Sequence, residues 1–79
     1  MSNLDKLKGA FSEALQIEIN QIVDGLTYQG IPEWDSISHM ILISEIESQF
    51  DISLETDDVI DMSSFLKAKE IVNKYGVEL

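Results

Sequence analysis

The chain has 79 residues, a formal net charge of -10 at pH 7 and no cysteine, and 44% of its residues are hydrophobic. This length supports a single domain, residues 1–79, with one modest core, and the hydrophobic content distinguishes it from an intrinsically disordered acidic chain. The lack of cysteine excludes a disulfide framework and any metal site built from thiolates.

The negative charge is concentrated in the middle of the chain. Twelve acidic residues and no Lys or Arg lie between positions 9 and 66, and the five lysines are Lys6, Lys8, Lys67, Lys69 and Lys74. Such a surface repels the phosphates of nucleic acids and anionic membranes, and it attracts basic protein surfaces. We therefore expect basic protein partners, no nucleic acid and no membrane.

The N-terminal stretch MSNLDKLKGAF has no apolar core of the kind found in signal peptides. No apolar run in the chain approaches the length that spans a membrane. We expect a monomeric, soluble protein of the cytoplasm.

Apolar residues at helical spacing predict a first helix from about Asn3 to Ile17. Ser2, followed by Asp5, is a start signal for this helix. The next stretch, EINQIVDGLTYQGIPEW, contains two glycines and a proline and has no regular period, so we predict a long loop of the kind that is often functional. Its scattered apolar residues are expected to fasten it to the core. They are Ile19, Ile22, Leu26, Tyr28 and Ile31.

Three further helices are predicted after the loop. One begins near Ser36, with Asp35 or Ser36 as its N-cap, and ends near Phe50. A short one lies around residues 57–61. The last runs from about 64 to 75, and Gly76 ends it. The sequence shows no strand alternation, so the expected fold is an all-α bundle of three main helices plus a short third helix.

The second helix has an unusual outward surface. At about 100° per residue, an apolar stripe formed by Leu42, Ile43, Ile46 and Phe50 faces the core, whereas the opposite side is apolar in its first turns and acidic further along. A small apolar patch beside acidic residues is typical of a recognition surface, and the alternative is that the long loop covers it. The outward residues are Ile37, Met40, Ile41, Ser44, Glu45, Glu47, Ser48 and Asp51.

Ser36 has two interpretations at the start of this helix. It can be a helix cap, which is a common position for serine. It can also be a site of covalent modification, because a helix N-terminus stabilises an anion such as a phosphate ester by about 0.3–1 kcal/mol.

The segment EWDSISHMILISEIESQFDISLETDDVIDMSSF resembles the acyl carrier protein family, whose members present Asp-Ser-Leu or a close variant at the start of their second helix. The length, the acidity, the helix order and the long loop extend this resemblance over nearly the whole chain. The resemblance implies that Ser36 carries 4′-phosphopantetheine, derived from coenzyme A, through a phosphodiester. Substrates would be held on its thiol as thioesters, and this chain has no thiol of its own.

The resemblance also assigns roles around Ser36. Asp35 matches the acid of the motif, and Ile37 matches the apolar residue that contacts partners. With Met40, Ile41 and Ser44, the outward acids would meet basic patches on a phosphopantetheinyl transferase and on enzymes that load and consume the acyl group. These acids are Glu45, Glu47 and Asp51. The implied role is to present a thioester, so we expect no catalytic residue and no metal site.

We expect a stand-alone member of this family, and two departures from the family pattern indicate a specialised pathway carrier with a more apolar docking surface. Ile41 occupies a position that is often acidic in carriers of fatty-acid synthesis, and Trp34 stands where a small residue is common. Trp34 itself is expected to pack on the loop, and its contact with the prosthetic group is a further hypothesis.

Several alternatives stay open. The cargo of the carrier can be an acyl group or an aminoacyl or peptidyl group. Five apolar residues either line a cavity or form plain core, and plain core is favoured because protein interiors pack densely. These are Leu42, Ile46, Ile60, Phe65 and Ile71.

Two functions of other classes can be built from the same residues. An enzyme using Ser36 and His39 is disfavoured, because His39 falls toward the core side and so small a helical domain leaves little room for an oxyanion hole and a substrate pocket. An unmodified helical adaptor would bind a partner through Ile37, Met40 and Ile41, and Ser36 would then be only a helix cap.

Overall fold

The computed structural model describes residues 2–79. Within these residues the chain forms four α-helices and no strand. The helices are α1 (Asn3–Leu15), α2 (Ser36–Phe50), α3 (Thr56–Asp61) and α4 (Phe65–Lys74), and a short 3-10 helix, Ile19–Gln21, lies between α1 and α2. The predicted all-α class is confirmed. None of the helices in this part of the chain is long and apolar enough to cross a membrane.

Helix α1 begins where the sequence predicts and ends two residues earlier, at Leu15. Ser2 is the N-cap, and its side chain accepts a hydrogen bond from the backbone N–H of Asp5 at 3.1 Å. At the other end Gln16 adopts the left-handed conformation, with φ 55°. The chain therefore turns at Gln16, and Ile17 is buried against the core instead of continuing the helix.

The core is centred on aromatic residues from three parts of the chain. Phe11 of α1 meets Trp34 of the loop edge to face, with ring centroids 5.3 Å apart, and meets Phe65 of α4 at 5.0 Å. The predicted inward stripe of α2 is buried, except that Phe50 at its end is half-buried. Helix α4 buries Phe65, Ala68, Ile71 and Val72. The most extensive helix packing joins α1 and α2, so the core supports the start of α2 directly.

The long loop is fastened to the turn between α3 and α4. The N–H of Tyr28 donates to the carbonyl of Ser63 at 2.9 Å, and the N–H of Phe65 donates to the carbonyl of Leu26 at 2.9 Å. Most apolar residues of the loop are buried or half-buried, as predicted. Ile19 and Val23 are the exceptions, at 53% and 55% exposure, and Ile19 belongs to the 3-10 helix, which has no buried residue.

Helix α3 is attached to α4 by a polar cluster. The buried carboxylate of Asp58 accepts hydrogen bonds from Lys74 Nζ and from the Tyr75 hydroxyl. The Tyr75 hydroxyl also accepts the backbone N–H of Glu55 at 3.0 Å. The hydrogen bond from Lys74, followed by that from Tyr75, holds the pKa of Asp58 below its ordinary value. In return, the hydrogen bond to Asp58 raises the pKa of Lys74 and that of Tyr75.

Candidate functional site

The N-cap of α2 is Asp35 and not Ser36. The Asp35 carboxylate accepts the backbone N–H groups of Ile37 at 3.1 Å and Ser38 at 2.9 Å. The Ser38 hydroxyl accepts the N–H of Asp35 at 2.9 Å, and it lies 2.6 Å from the carbonyl of Glu33. The backbone N–H of Ser38, followed by its hydroxyl, holds the pKa of Asp35 below its ordinary value. The chain is therefore fixed on both sides of Ser36, and capping does not use the Ser36 hydroxyl.

Ser36 is the first residue of α2 and is exposed. It borders a cleft of about 390 Å³ that lies between the start of α2, helix α3 and the long loop. We call this space the α2–α3 cleft. Its lining is mainly apolar and consists of Tyr28, Ser36, His39, Met40, Val59, Ile60, Met62 and Ser63. A group attached to the Ser36 hydroxyl would begin at the border of this cleft.

A second cleft of about 390 Å³ lies on the other side of α2, between the end of α1 and the end of the long loop. We call this space the α1–α2 cleft. Its lining mixes polar and apolar side chains, and consists of Ala14, Leu15, Gln16, Pro32, Glu33, Asp35, Ile37, Ser38 and Ile41. The start of α2 is therefore flanked by two concave surfaces of different chemistry.

The apolar patch predicted on α2 is exposed. Ile37 is 74%, Met40 60% and Ile41 49% exposed, so the long loop does not cover them and the covered alternative is wrong. The structure divides the patch between the two clefts. Ile37 and Ile41 line the α1–α2 cleft, whereas Met40 lines the α2–α3 cleft.

The polar residues expected on the outward face of α2 lie in different surroundings. Ser44 and Asp51 are exposed, and Asp51 ends the helix in the left-handed conformation. Glu45 is half-buried. Glu47 is half-buried as well, and its carboxylate accepts the backbone N–H of Leu54 at 2.8 Å. Glu47 therefore holds the segment between α2 and α3 in place.

Both ring nitrogens of His39 form hydrogen bonds within the protein. Its Nδ1 accepts the indole N–H of Trp34 at 2.9 Å, and its Nε2 lies 2.8 Å from the carbonyl of Val59 in α3. An indole N–H can only donate and a carbonyl can only accept, so the imidazole is neutral and carries its proton on Nε2. His39 thus joins the core, α2 and α3, and neither nitrogen is left for the Ser36 hydroxyl.

Trp34 packs on the loop and forms a local hydrogen bond, as expected, and it is also buried in the core. Its side chain is 0% exposed, and its ring stacks on that of His39 with centroids 6.0 Å apart. Tyr28 meets the indole edge to face at 6.2 Å. Trp34 is not among the residues that line the α2–α3 cleft, and its contact with a prosthetic group stays a hypothesis.

Sequence analysis did not identify the contribution of α3 to the site. Val59, Ile60 and Met62 form one wall of the α2–α3 cleft. Ile60, which the sequence placed with plain core, is 76% exposed. A six-residue helix covers fewer than two turns, so its apolar spacing does not identify an inward face.

Comparison of the chain with protein-family models, with curated proteins and with solved structures finds no match. In residues 2–79 there is also no group of three or more His, Asp or Glu side chains that could hold a metal ion. A function for this chain therefore has to be argued from the geometry around Ser36.

Proposed function

We propose that the chain is an acyl carrier protein that holds acyl intermediates as thioesters on a 4′-phosphopantetheine attached to Ser36. The observation that supports this most is the exposed Ser36 side chain beside an apolar cleft, in a helix start that Asp35 already caps. A serine needed only as a cap would have its oxygen on the backbone N–H groups that Asp35 occupies.

The attachment reaction forms one P–O bond and breaks another. The Ser36 oxygen attacks the phosphorus of coenzyme A that bears pantetheine, the pyrophosphate bond breaks, and adenosine bisphosphate leaves. The serine proton passes to a base of the phosphopantetheinyl transferase. The chain contributes a rigid, exposed hydroxyl at a helix N-terminus, where the phosphodiester anion is favoured. The attached group supplies the thiol that the chain lacks.

The two clefts suggest a division between cargo and partners. The apolar α2–α3 cleft suits an acyl group better than an aminoacyl group, because a buried ammonium would need a carboxylate partner and the lining contains no Asp or Glu. The α1–α2 cleft carries the exposed Ile37 and Ile41 together with Glu33 and Asp35. This surface suits the basic docking patches of a transferase and of the enzymes that load and consume the acyl group.

Catalysis in this proposal belongs to the partner enzymes. Both nitrogens of His39 are used within the fold, which argues against a serine hydrolase built on Ser36. The carrier acts as a monomer in the cytoplasm, and its own task is presentation of the thioester.

Intact mass spectrometry after incubation with coenzyme A and a promiscuous phosphopantetheinyl transferase tests the proposal. We expect a gain of one phosphopantetheine on the wild type and on Ser53→Ala, which removes an exposed hydroxyl outside the two clefts and the outward face of α2. Ser36→Ala should gain nothing. A folded wild-type protein that gains no mass would exclude the carrier function and favour the unmodified adaptor.

A second measurement tests the docking surface. Ile37→Ser combined with Ile41→Ser removes apolar contacts on the α1–α2 side, whereas Ile60→Ser removes an exposed isoleucine on the other side. We expect the double variant to slow attachment about tenfold, which corresponds to about 1.4 kcal/mol, and Ile60→Ser to slow it less. Equal rates for both variants would show that the transferase does not use the α1–α2 side.

A further inference from the structure

We infer that the α2–α3 cleft is a shallow site for short, apolar acyl groups, closed at its inner end by the side chains of Tyr28, Trp34 and His39. This inference rests on the proposed attachment at Ser36. We call the three side chains the aromatic block. The cleft is lined by two members of this block, and the third, Trp34, lies behind them in the core.

The three rings of the aromatic block contact one another. The ring centroid of His39 lies 5.3 Å from that of Tyr28 and 6.0 Å from that of Trp34. Tyr28 and Trp34 are 6.2 Å apart. The block therefore fills the space between the start of α2 and the long loop, and it separates the cleft from the core.

The block is also held in place by directional bonds. The imidazole of His39 bonds to the indole N–H of Trp34 and to the carbonyl of Val59. Phe11 packs against the other side of the indole at 5.3 Å. Moving His39 aside to admit a long chain would leave the buried indole N–H without a partner, which is unfavourable.

The size and lining of the cleft define the class of cargo. Its volume of about 390 Å³ is near the lower end of the range of about 300–1,000 Å³ for ligand pockets, and part of it has to hold the phosphopantetheine arm. Apart from Ser36 and Ser63, its remaining walls offer apolar contact and no charge, and they are formed by Met40, Val59, Ile60 and Met62. A short acyl group can be covered there, whereas the distal carbons of a long chain stay in water.

Thermal unfolding of a chain-length series tests this inference. The arm is attached already acylated, from acetyl-, butyryl-, hexanoyl-, octanoyl- and decanoyl-coenzyme A, and mass spectrometry confirms each product. Each methylene group that becomes buried should raise Tm by about 3–6 °C, as estimated from transfer free energies and the entropy of unfolding of a domain of this size. We expect Tm to rise from acetyl to butyryl and to be the same for octanoyl and decanoyl.

Two variants of His39 separate the size of the side chain from its hydrogen bonds. His39→Ala removes most of the ring and opens the inner end of the cleft, so Tm should continue to rise from hexanoyl to octanoyl. His39→Leu loses the same hydrogen bonds but retains a bulky side chain, so its plateau should begin at the same chain length as in the wild type. Each acylated variant is compared with its own form bearing the unacylated arm.

The possible failures are distinguishable. If folded protein does not become modified with phosphopantetheine at Ser36, both the carrier function and this inference are wrong. If wild-type protein bearing the arm gains Tm steadily through decanoyl, the cleft is deep and the inference alone is wrong. If the plateau begins at the same chain length in wild type and His39→Ala, the aromatic block does not limit the cargo.

Discussion

Helices α1 and α3 are attached to the rest of the molecule in opposite ways. Helix α1 buries an apolar stripe in the core that includes Leu7 and Phe11, both 0% exposed. Helix α3 buries only one residue, the acid Asp58, while Ile60 is exposed. Polar contacts hold α3 instead. Asp58 and an ion pair between Asp61 and Lys67 at 3.3 Å join α3 to α4, and the carbonyl of Val59 contacts His39.

This difference indicates which part of the molecule can adapt to a ligand. Burial of apolar area is non-directional and opposes any separation of α1 from the core. A few hydrogen bonds contribute less net stability, and their loss lets a short helix move as a unit. The adaptable wall of the α2–α3 cleft is therefore α3, whereas the helix that supports Ser36 is packed against α1. Substitutions on the two sides can test this contrast.

The largest loss of stability is expected from Phe11→Ala. This change removes the ring that contacts both Trp34 and Phe65, and it leaves a cavity in the centre of the core. The expected decrease in the free energy of unfolding is about 3–5 kcal/mol, measured by urea denaturation. A loss below about 1 kcal/mol would mean that burial does not anchor α1 as described.

A smaller loss, with a distinct pH dependence, is expected from Asp58→Asn. Because the folded-state pKa of Asp58 is lowered, its contribution to stability is present above the ordinary value of 3.8 and disappears as pH falls through the folded-state value. The urea concentration at the midpoint of unfolding should therefore decrease less steeply with falling pH in Asp58→Asn than in the wild type. Parallel curves for the two proteins would show that the Asp58 cluster is not coupled to folding.

Because of the same cluster, we expect the protein to lose stability at alkaline pH. The pKa values of Lys74 and Tyr75 are raised, so their contribution is present below the ordinary values of 10.5 and 10.0 and is lost as pH rises through the folded-state values. Tyr75→Phe removes the hydroxyl and should flatten the alkaline side of the stability curve. The absorbance of tyrosinate at high pH provides an independent check of this titration.

An intermediate effect is expected from His39→Leu. The variant leaves the indole N–H of Trp34 buried without an acceptor and frees the carbonyl of Val59, for an expected loss of about 1–3 kcal/mol. Hydrogen exchange should become faster in α3 than in α1, because only α3 loses an attachment. Equal acceleration in the two helices would contradict the proposed difference between them.

The smallest effect is expected from Ile60→Ser. Ile60 is 76% exposed, so the free energy of unfolding should change by no more than about 0.5 kcal/mol. A matched change in the core, Ile46→Ser, should be far more destabilising because Ile46 is 0% exposed. A large loss of stability in Ile60→Ser would indicate that Ile60 is buried in the core, as the sequence predicted.

Local sequence determined most of the helical framework. The bounds of α2, the start of α1 at Ser2 and the end of α4 before Gly76 follow from periodicity and capping, which depend on residues within one or two turns. The exposure of Ile37, Met40 and Ile41 was predictable for the same reason, because helical geometry places them opposite the buried stripe. The motif around Ser36 was also visible in the sequence.

Tertiary structure alone decided what surrounds Ser36. The burial of Trp34, the neutral imidazole of His39 and the exposure of Ile60 depend on contacts between the loop, α2 and α3. The bond from His39 to Val59 spans 20 positions, and that from Lys74 to Asp58 spans 16. A local sequence pattern does not show that residues this far apart are in contact. Periodicity predicts which face of a helix is buried, but it does not predict which residues that face contacts.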